Sequence, residues 1–557
     1  MMICRFIYTD GEAKLPVKVT TWDALGYYIY LPAKFIYHDE KELAWFPKID
    51  SIYSLSGGEL YQANRQKNGS YVFKYLEGVS LLQTPFFLIA HFIALHSDYP
   101  ADGFSAPYQY AIAWGCMIYC LLALFLLRKI LLRYYQDVTV AFTLILLLCA
   151  SNFLQYTAIE GGQSHGYIFP LYVFLLYVTI QWHENRKLIW SFLMALIIGV
   201  AAISRPTEAV MLFIPLLWHV NTQEEFVEKF RFTYQHPKHI VCLIGGLVLG
   251  IFPQLLYWKR VTGSFIYDVG SKWDFLSPHF RVLMGWEKGW FIYTPVTLLF
   301  IAGLFLLKKQ PFKRAVIIFC LLNIYIIISW HIWRYGGSYS CRALVQSYPV
   351  FSLALAGVTE SILQKKGKWL ISLLSVYLIA VNLFQIRQYN QGILHYDEMN
   401  RKYYGAIYLN PHPTPLDMSL LDTEDRLTDE TKYEQRKIIQ TDSSLDIHDG
   451  SILFDDTITH PKINQIWYKI NAAINTEKGL WGSYLYANLK TEGSIQETKI
   501  RLLNPLTHEK TENHYTFYVK VNPSKAVCRL TLQLKGNPAL SGQLNHLTLT
   551  ELQKENP

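Results

Sequence analysis

The stretch "PYQYAIAWGCMIYCLLALFLLRKILLRYYQDVTVAFTLILLLCA", Pro107 to Ala150, decides the fold class. Two long apolar runs flank a compact basic segment, "RKILLRYYQD" at 128–137. An apolar helix of about 20 residues is long enough to cross the roughly 30 Å hydrocarbon core of a bilayer. Apolar runs joined by short basic loops are typical of a protein that crosses the membrane several times.

Composition extends this interpretation to most of the chain. Of its 557 residues, 51% are hydrophobic and only 17% are charged, whereas soluble proteins carry about 25% charged residues. We predict a polytopic α-helical membrane domain of about ten spans, followed by a polar C-terminal domain. The predicted spans lie near 107–127, 138–157, 166–182, 188–204, 207–220, 240–258, 290–307, 314–331, 343–364 and 369–386.

Positive charge is concentrated in alternate loops. One set, with "RKILLRYYQD", "ENRK", "KKQPFKR" and "KKGK", is short and basic, which is typical of cytoplasmic loops. The other set is rich in Gly, aromatic and polar residues, and we place it with the C-terminal domain on the outer side. These loops account for the net charge of +8, so we expect no nucleic-acid partner. The eight cysteines show no metal-ligand spacing.

The predicted domains follow from these patterns. Residues 1–20 form an N-terminal segment, 21–106 a first outer loop, 107–390 the membrane domain, 391–442 a linker and 443–557 the C-terminal domain. The segment 1–20 resembles neither a signal peptide nor a span, so either a first transmembrane helix lies upstream of the sequence or the run 79–96 is itself a span. The run contains Gln83, Pro85 and two histidines, and we therefore favour an interfacial amphipathic helix there and a first transmembrane helix upstream.

The C-terminal domain is predicted to be all-β. Short segments such as "QIWYKINAAI", "HYTFYVKVN" and "AVCRLTLQLKG" alternate apolar and polar residues, which indicates half-buried strands. In the last segment Cys528, Leu530, Leu532 and Leu534 share one face. We predict a β-sandwich of jelly-roll type. Its role stays open between a stabilising domain and a module that binds glycan or acceptor.

Ionisable residues at the ends of the predicted spans are the candidate site. Asp23 lies among aromatic residues in "TTWDALGYY", where it could accept a proton; from spacing alone a helix cap is the simpler interpretation. Cationic and polar groups on the same predicted face suit a lipid phosphate, although each one singly could anchor a helix. The candidate ligand-binding residues are Tyr27, His165, Arg205, Lys288, Tyr339 and Arg342, with Asp39, Glu40 and Glu160 as secondary acidic candidates.

The order of several short motifs resembles the GT-C glycosyltransferases, integral membrane enzymes that take a sugar from a polyprenyl-phosphate carrier. The resemblance is strongest to the branch with protein O-mannosyltransferases and the aminoarabinose transferase of lipid A, and it covers roughly residues 20–390. The motifs are "WDALGYY" (22–28), "YLEGVSLLQTPFF" (75–87), "ISRPTE" (203–208), "KGWFIYTP" (288–295) and "GGSYSCR" (336–342). Many relatives carry an adjacent Asp-Glu pair where this chain has Asp23 alone.

The resemblance implies an inverting transfer of a hexosyl or pentosyl group to a glycan, lipid or protein acceptor. Asp23 is then the general base, and Arg342, Lys288, Arg205 and His165 hold the lipid phosphate. It also implies a bacterial cytoplasmic membrane with an extracytoplasmic site. We expect no required metal, because the lone Asp23 gives no support for a divalent cation. The alternative is a flippase or transporter of lipid-linked sugars, which could use the same cations.

Overall fold

A computed structural model describes residues 1–10, 18–67, 69–307, 310–365, 368–442, 444–459, 466–491, 494–521 and 527–554. The chain forms two compact units, Met1–Ile386 and Arg387–Pro557. Lys308, Lys309 and Lys366, from two of the basic loops, lie outside the described residues.

The first unit is helical. Within the described ranges, four helices are long and apolar enough to cross a membrane: Gly78–Leu95, Ala106–Leu131, Pro237–Thr262 and Lys368–Asn390. They confirm the predicted membrane-protein class. The other described α-helices of this unit are Met2–Arg5, Asp23–Tyr28, Tyr30–Phe35, Phe46–Tyr53, Asp137–Cys149, Ser164–Asn185, Leu188–Ala202, Phe213–Leu217, Gln223–Gln235, Arg281–Met284, Trp290–Tyr293, Thr297–Leu304, Lys313–Ile328 and Tyr348–Gln364.

Several predicted spans are shorter or interrupted in the structure. The segment 290–307 divides into Trp290–Tyr293 and Thr297–Leu304 because Pro295 disfavours helical geometry at Thr294. The segment 207–220 begins as a 3-10 turn, Pro206–Leu212, and the helix Asp137–Cys149 is followed by a π-turn, Gln155–Ile159. The run 79–96 is helical as expected, as Gly78–Leu95. Its interfacial placement and the total of ten spans stay predictions.

Glycines let two of the helices approach closely near the candidate site. Gly246 and Gly250 of the helix Pro237–Thr262 face the helix Leu188–Ala202, and a Cβ on Gly250 would lie 3.0 Å from the Cα of Gly199. Small residues four apart allow this kind of backbone contact between membrane helices. The packing fixes the end of Leu188–Ala202, from which Arg205 follows.

The second unit is a β-sandwich, as predicted. Its four-stranded sheet has the order Ile452–Thr459, Val527–Lys535, Tyr484–Thr491, Ser494–Arg501. The five-stranded sheet has the order Tyr433–Thr441, Ser541–Lys554, Ile466–Lys478, Thr511–Val521, and Leu445–His448 also pairs with Ser541–Lys554. Three helical turns precede the sheets: Arg401–Ile407, Pro415–Ser419 and Glu430–Lys432.

The predicted inward face is confirmed. Cys528, Leu530, Leu532 and Leu534 are all buried in one core with residues of the other sheet, such as Phe517. The sandwich begins earlier than predicted, because the strand Tyr433–Thr441 falls inside the segment 391–442 that we expected to be a linker. This strand is largely exposed and lies at the edge of its sheet, so its sequence lacks an apolar alternation.

Candidate functional site

Asp23 is the first residue of the helix Asp23–Tyr28, yet its carboxylate does not cap the helix. The hydroxyls of Tyr61 and Tyr75 donate hydrogen bonds to its Oδ1 over 2.9 and 2.6 Å. Its Oδ2 accepts a hydrogen bond from the guanidinium of Arg342, 319 residues away in the chain. The side chain of Asp23 is 24% exposed and that of Arg342 10%. The structure thus joins the predicted base to a predicted cation.

The surroundings of Asp23 favour its ionised form. Burial by itself raises the pKa of the carboxyl, but the charge of Arg342 and the hydrogen bonds from Tyr75, Arg342 and Tyr61 outweigh burial. The pKa of Asp23 is therefore below its usual value, as expected for a carboxylate beside a guanidinium.

A small hairpin brings the tyrosines to Asp23. Tyr61 precedes a small hairpin, Ala63–Arg65 paired with Tyr71–Phe73, and Tyr75 follows it. Tyr75 packs against the helix of Asp23 at Gly26, where a Cβ would lie 2.1 Å from the ring carbon Cδ2 of Tyr75. Only a glycine leaves room for the ring in this position. The glycine of "WDALGYY" therefore positions a partner of the carboxylate.

A second glycine admits Arg342. Gly336 has a φ of +66°, and a Cβ there would lie 3.2 Å from the guanidinium Nη2 of Arg342. The ammonium of Lys288 donates a hydrogen bond to the Gly336 carbonyl over 2.6 Å. Tyr156 fixes the same loop by donating to the Tyr339 carbonyl over 2.9 Å. Lys288 therefore holds the loop that carries Arg342.

A buried polar chain lies beside this pair. Nδ1 of His165 is 2.9 Å from Oε1 of Gln346, whose Nε2 donates to Glu208 over 2.9 Å. Since the amide oxygen of Gln346 can only accept, Nδ1 of His165 carries the proton. Arg205 lies with its Nη1 3.3 Å from the same Nδ1. These hydrogen bonds among His165, Gln346 and Glu208 order the segment from which Arg205 extends.

Asp23, Arg205 and Arg342 line one cavity of about 640 Å³. Asp23 is the only carboxylate among the described lining residues, while Lys74 and His331 add to the two arginines. The aromatic lining comprises Tyr27, Tyr61, Tyr75, Trp273, Trp330 and Tyr335. A carboxylate, several cations and aromatic rings in one cavity can bind an anionic group, stack a sugar and accept a proton.

Other predicted site residues lie outside the lining of this cavity. Lys288 and His165 are 4% exposed and Tyr339 is fully buried, so they support the walls. Asp39 accepts hydrogen bonds from three backbone N–H groups, on Lys41, Glu42 and Ala44. Glu40 forms a salt bridge of 3.0 Å with Arg260. Glu160 accepts a hydrogen bond of 2.9 Å from Gln155, and burial raises its pKa.

Sequence reasoning missed the residues that complete the site. Tyr61 and Tyr75 carry no signal of their own in a chain with 39 tyrosines. Gln346 stands in an ordinary apolar segment, and Trp273 and Trp330 come from separate loops joined by a β-bridge. In the part of the chain that the structure describes, no group of three or more His, Cys, Asp or Glu side chains could hold a metal ion.

Comparisons with solved structures include three similar proteins. ArnT from Cupriavidus metallidurans, bound to undecaprenyl phosphate, shares 13% identity at a TM-score of 0.42, over 73% of this chain and 67% of that one. The archaeal oligosaccharyltransferase AglB from Archaeoglobus fulgidus, in complex with an inhibitory peptide and a dolichol-phosphate, shares 11% identity at a TM-score of 0.40. The match covers 73% of this chain and 56% of AglB. The arabinosyltransferase EmbB from Mycobacterium smegmatis shares 10% identity at a TM-score of 0.37, over 84% of this chain and 59% of EmbB.

The chain thus spans less than two thirds of the length of the last two proteins. No protein-family model and no curated protein matches it.

Proposed function

We propose that the chain is a membrane glycosyltransferase that moves a sugar from a polyprenyl-phosphate carrier to an acceptor. The observation that carries the proposal is the meeting of Asp23 and Arg342 in a cavity that Arg205 also lines. A lone carboxylate among cations suits a reaction in which a hydroxyl or amine loses a proton while a phosphate leaves.

In the proposed step, Asp23 takes the proton of the acceptor as the acceptor oxygen or nitrogen attacks the anomeric carbon. The bond from that carbon to the phosphate oxygen breaks, and its electron pair stays on the lipid phosphate. Attack from the face opposite the phosphate inverts the anomeric centre. Arg342 and Arg205 stabilise the charge of the departing phosphate, which fixed cations in a cavity can do efficiently.

The basic loops support the proposed orientation. Their lysines and arginines are typical of cytoplasmic loops, and we propose on this basis that the cavity and the β-sandwich lie outside a bacterial cytoplasmic membrane. The carrier then reaches the cavity from the outer leaflet. The aromatic lining suits a sugar ring, and the acceptor is a glycan, a lipid or a protein.

The pH dependence of the transfer rate should follow the ionisation of the Asp23 carboxyl. Its pKa is lowered, so the base stays ionised down to pH values below the usual Asp pKa of about 3.9. Activity is lost only as the pH falls through the lowered pKa. We expect kcat/KM for the donor to be flat between about pH 5 and 7, because this parameter reports groups of the free enzyme. An acid limb near pH 6 would contradict the assignment.

Gly26→Ala tests the placement of Tyr75. The new methyl group would overlap the Tyr75 ring and move its hydroxyl off Asp23. Loss of one hydrogen bond to a charged group should lower the transfer rate about tenfold. Gly245→Ala is the matched control, since no atom lies within 4 Å of a Cβ at that helical position. Equal rates of sugar transfer for both variants would contradict the role of Tyr75.

Turnover of defined donors tests the proposal as a whole. Purified protein in nanodiscs would be incubated with a panel of undecaprenyl-phosphate sugars, and released undecaprenyl phosphate would be quantified by mass spectrometry. We expect release with at least one sugar in the presence of a membrane extract that supplies acceptors. Movement of the intact lipid-linked sugar between leaflets, without release from any donor, would overturn the proposal in favour of a flippase.

A further inference from the structure

The partners of Arg342 differ from those of the other arginine in the cavity. Among the residues that the structure describes, the only salt bridge of Arg342 is with Asp23. Arg205 forms no salt bridge in the same part of the chain, and its Nη1 lies 3.3 Å from Nδ1 of His165. A phosphate entering the cavity therefore meets one arginine that is free of carboxylates and one that Asp23 already holds.

The carboxylate of Asp23 has few positions left to accept a further hydrogen bond. A carboxylate offers about four lone-pair positions, and Tyr61, Tyr75 and Arg342 occupy three of them. An acceptor hydroxyl that bonds to Asp23 must take the one position left, on Oδ2 beside the guanidinium of Arg342. The paired guanidinium therefore restricts the approach of an acceptor to the carboxylate.

We propose that the donor phosphate and Asp23 compete for Arg342, so that donor binding transfers the guanidinium from the carboxylate to the phosphate. This inference rests on the proposed function. Oδ2 of Asp23 then becomes available to the acceptor, and the donor binds before the acceptor.

The surroundings of Asp23 allow this exchange. A buried carboxylate that loses its only counter-charge is costly when nothing else holds it. Here Tyr61 and Tyr75 remain bonded to Oδ1 and keep the carboxylate in place. The guanidinium has room, because Gly336 presents no side chain to it and a Cβ there would approach within 3.2 Å. A phosphate accepts the two parallel N–H bonds of an arginine as well as a carboxylate does.

Equilibrium binding of undecaprenyl phosphate tests the competition without turnover. The dissociation constant would be measured in nanodiscs by intrinsic tryptophan fluorescence, because Trp273 and Trp330 line the cavity. Asp23→Asn should tighten binding about tenfold, since Arg342 no longer leaves a charged partner. Asp98→Asn is the control, because Asp98 is exposed.

The double variant separates competition from simple charge repulsion. If the two groups compete, Asp23→Asn has little effect in a chain that already carries Arg342→Gln, so the two changes are strongly non-additive. If Asp23 only repels the phosphate, the gain is the same with or without Arg342. Additive effects, or unchanged binding by Asp23→Asn, would overturn the inference and leave transfer itself intact.

Two further ligands identify what is bound. Undecaprenol, which lacks the phosphate, should bind all variants equally. Inorganic phosphate should rank the variants in the same order at much lower affinity, because it lacks the lipid chain. If undecaprenyl phosphate binds none of the proteins, both the donor assignment and the inference fail.

Discussion

Asp23→Asn is expected to lower the rate of sugar transfer by about 10²–10⁴-fold, the usual contribution of a general base. The amide cannot take the proton of the acceptor, yet it is nearly the same size as the carboxylate. Tyr61 and Tyr75 can still donate to its oxygen, so we expect an intact fold. Initial rates of undecaprenyl phosphate release at saturating donor would measure the loss.

Asp98→Asn provides the matched control for this change. Asp98 is exposed in the loop after the helix Gly78–Leu95, and its replacement should leave the rate of transfer unchanged. Circular dichroism and thermal unfolding would establish that both variants are folded. Full transfer by folded Asp23→Asn would exclude Asp23 as the base.

Arg342→Gln is expected to have the second largest effect, a fall of about 10²–10³-fold in kcat/KM for the donor. A fixed hydrogen-bond donor that stabilises charge developing in the transition state contributes a rate factor of about this size. Glutamine cannot supply the positive charge of the guanidinium. Arg342→Lys should recover only part of the loss, because an ammonium cannot form two parallel hydrogen bonds to a phosphate. Steady-state rates over a range of donor concentrations would measure both variants.

Arg334→Gln is the control for Arg342, since Arg334 is an exposed arginine of the same loop that stacks on Trp333. We expect its donor kinetics to match those of the unmodified chain. Unchanged kcat/KM in Arg342→Gln, with the fold preserved, would show that the guanidinium does not act on the donor.

The sequence pointed to Asp23 and Arg342 as single residues but not to the contacts between them and their neighbours. Asp23 and Arg342 stand in the short motifs "WDALGYY" and "GGSYSCR", so the order of the motifs was enough to single them out. Their direct contact across 319 positions depends on how the helices pack, which periodicity does not specify. Tyr61 and Tyr75 were missed for the same reason, because their function comes only from the carboxylate that the fold brings to them.

Lys288 shows that a motif can single out a residue without specifying where its side chain lies. A lysine at the start of an apolar segment suits a phosphate ligand or a membrane anchor equally well. In the structure its ammonium is buried against the Gly336 carbonyl, where it shapes the loop of Arg342. The interruption of the predicted span 290–307 at Pro295 follows from proline geometry alone. The edge strand Tyr433–Thr441, in contrast, lacks the apolar alternation by which buried strands are predicted.

The most direct test of the central claim is a cryo-electron microscopy structure of the protein in nanodiscs with undecaprenyl phosphate. We expect the phosphate in the cavity, with its oxygens within about 3 Å of the guanidinium groups of Arg205 and Arg342, and the carboxylate of Asp23 in the same cavity. A phosphate bound elsewhere, or one that both arginines fail to contact, would contradict the account.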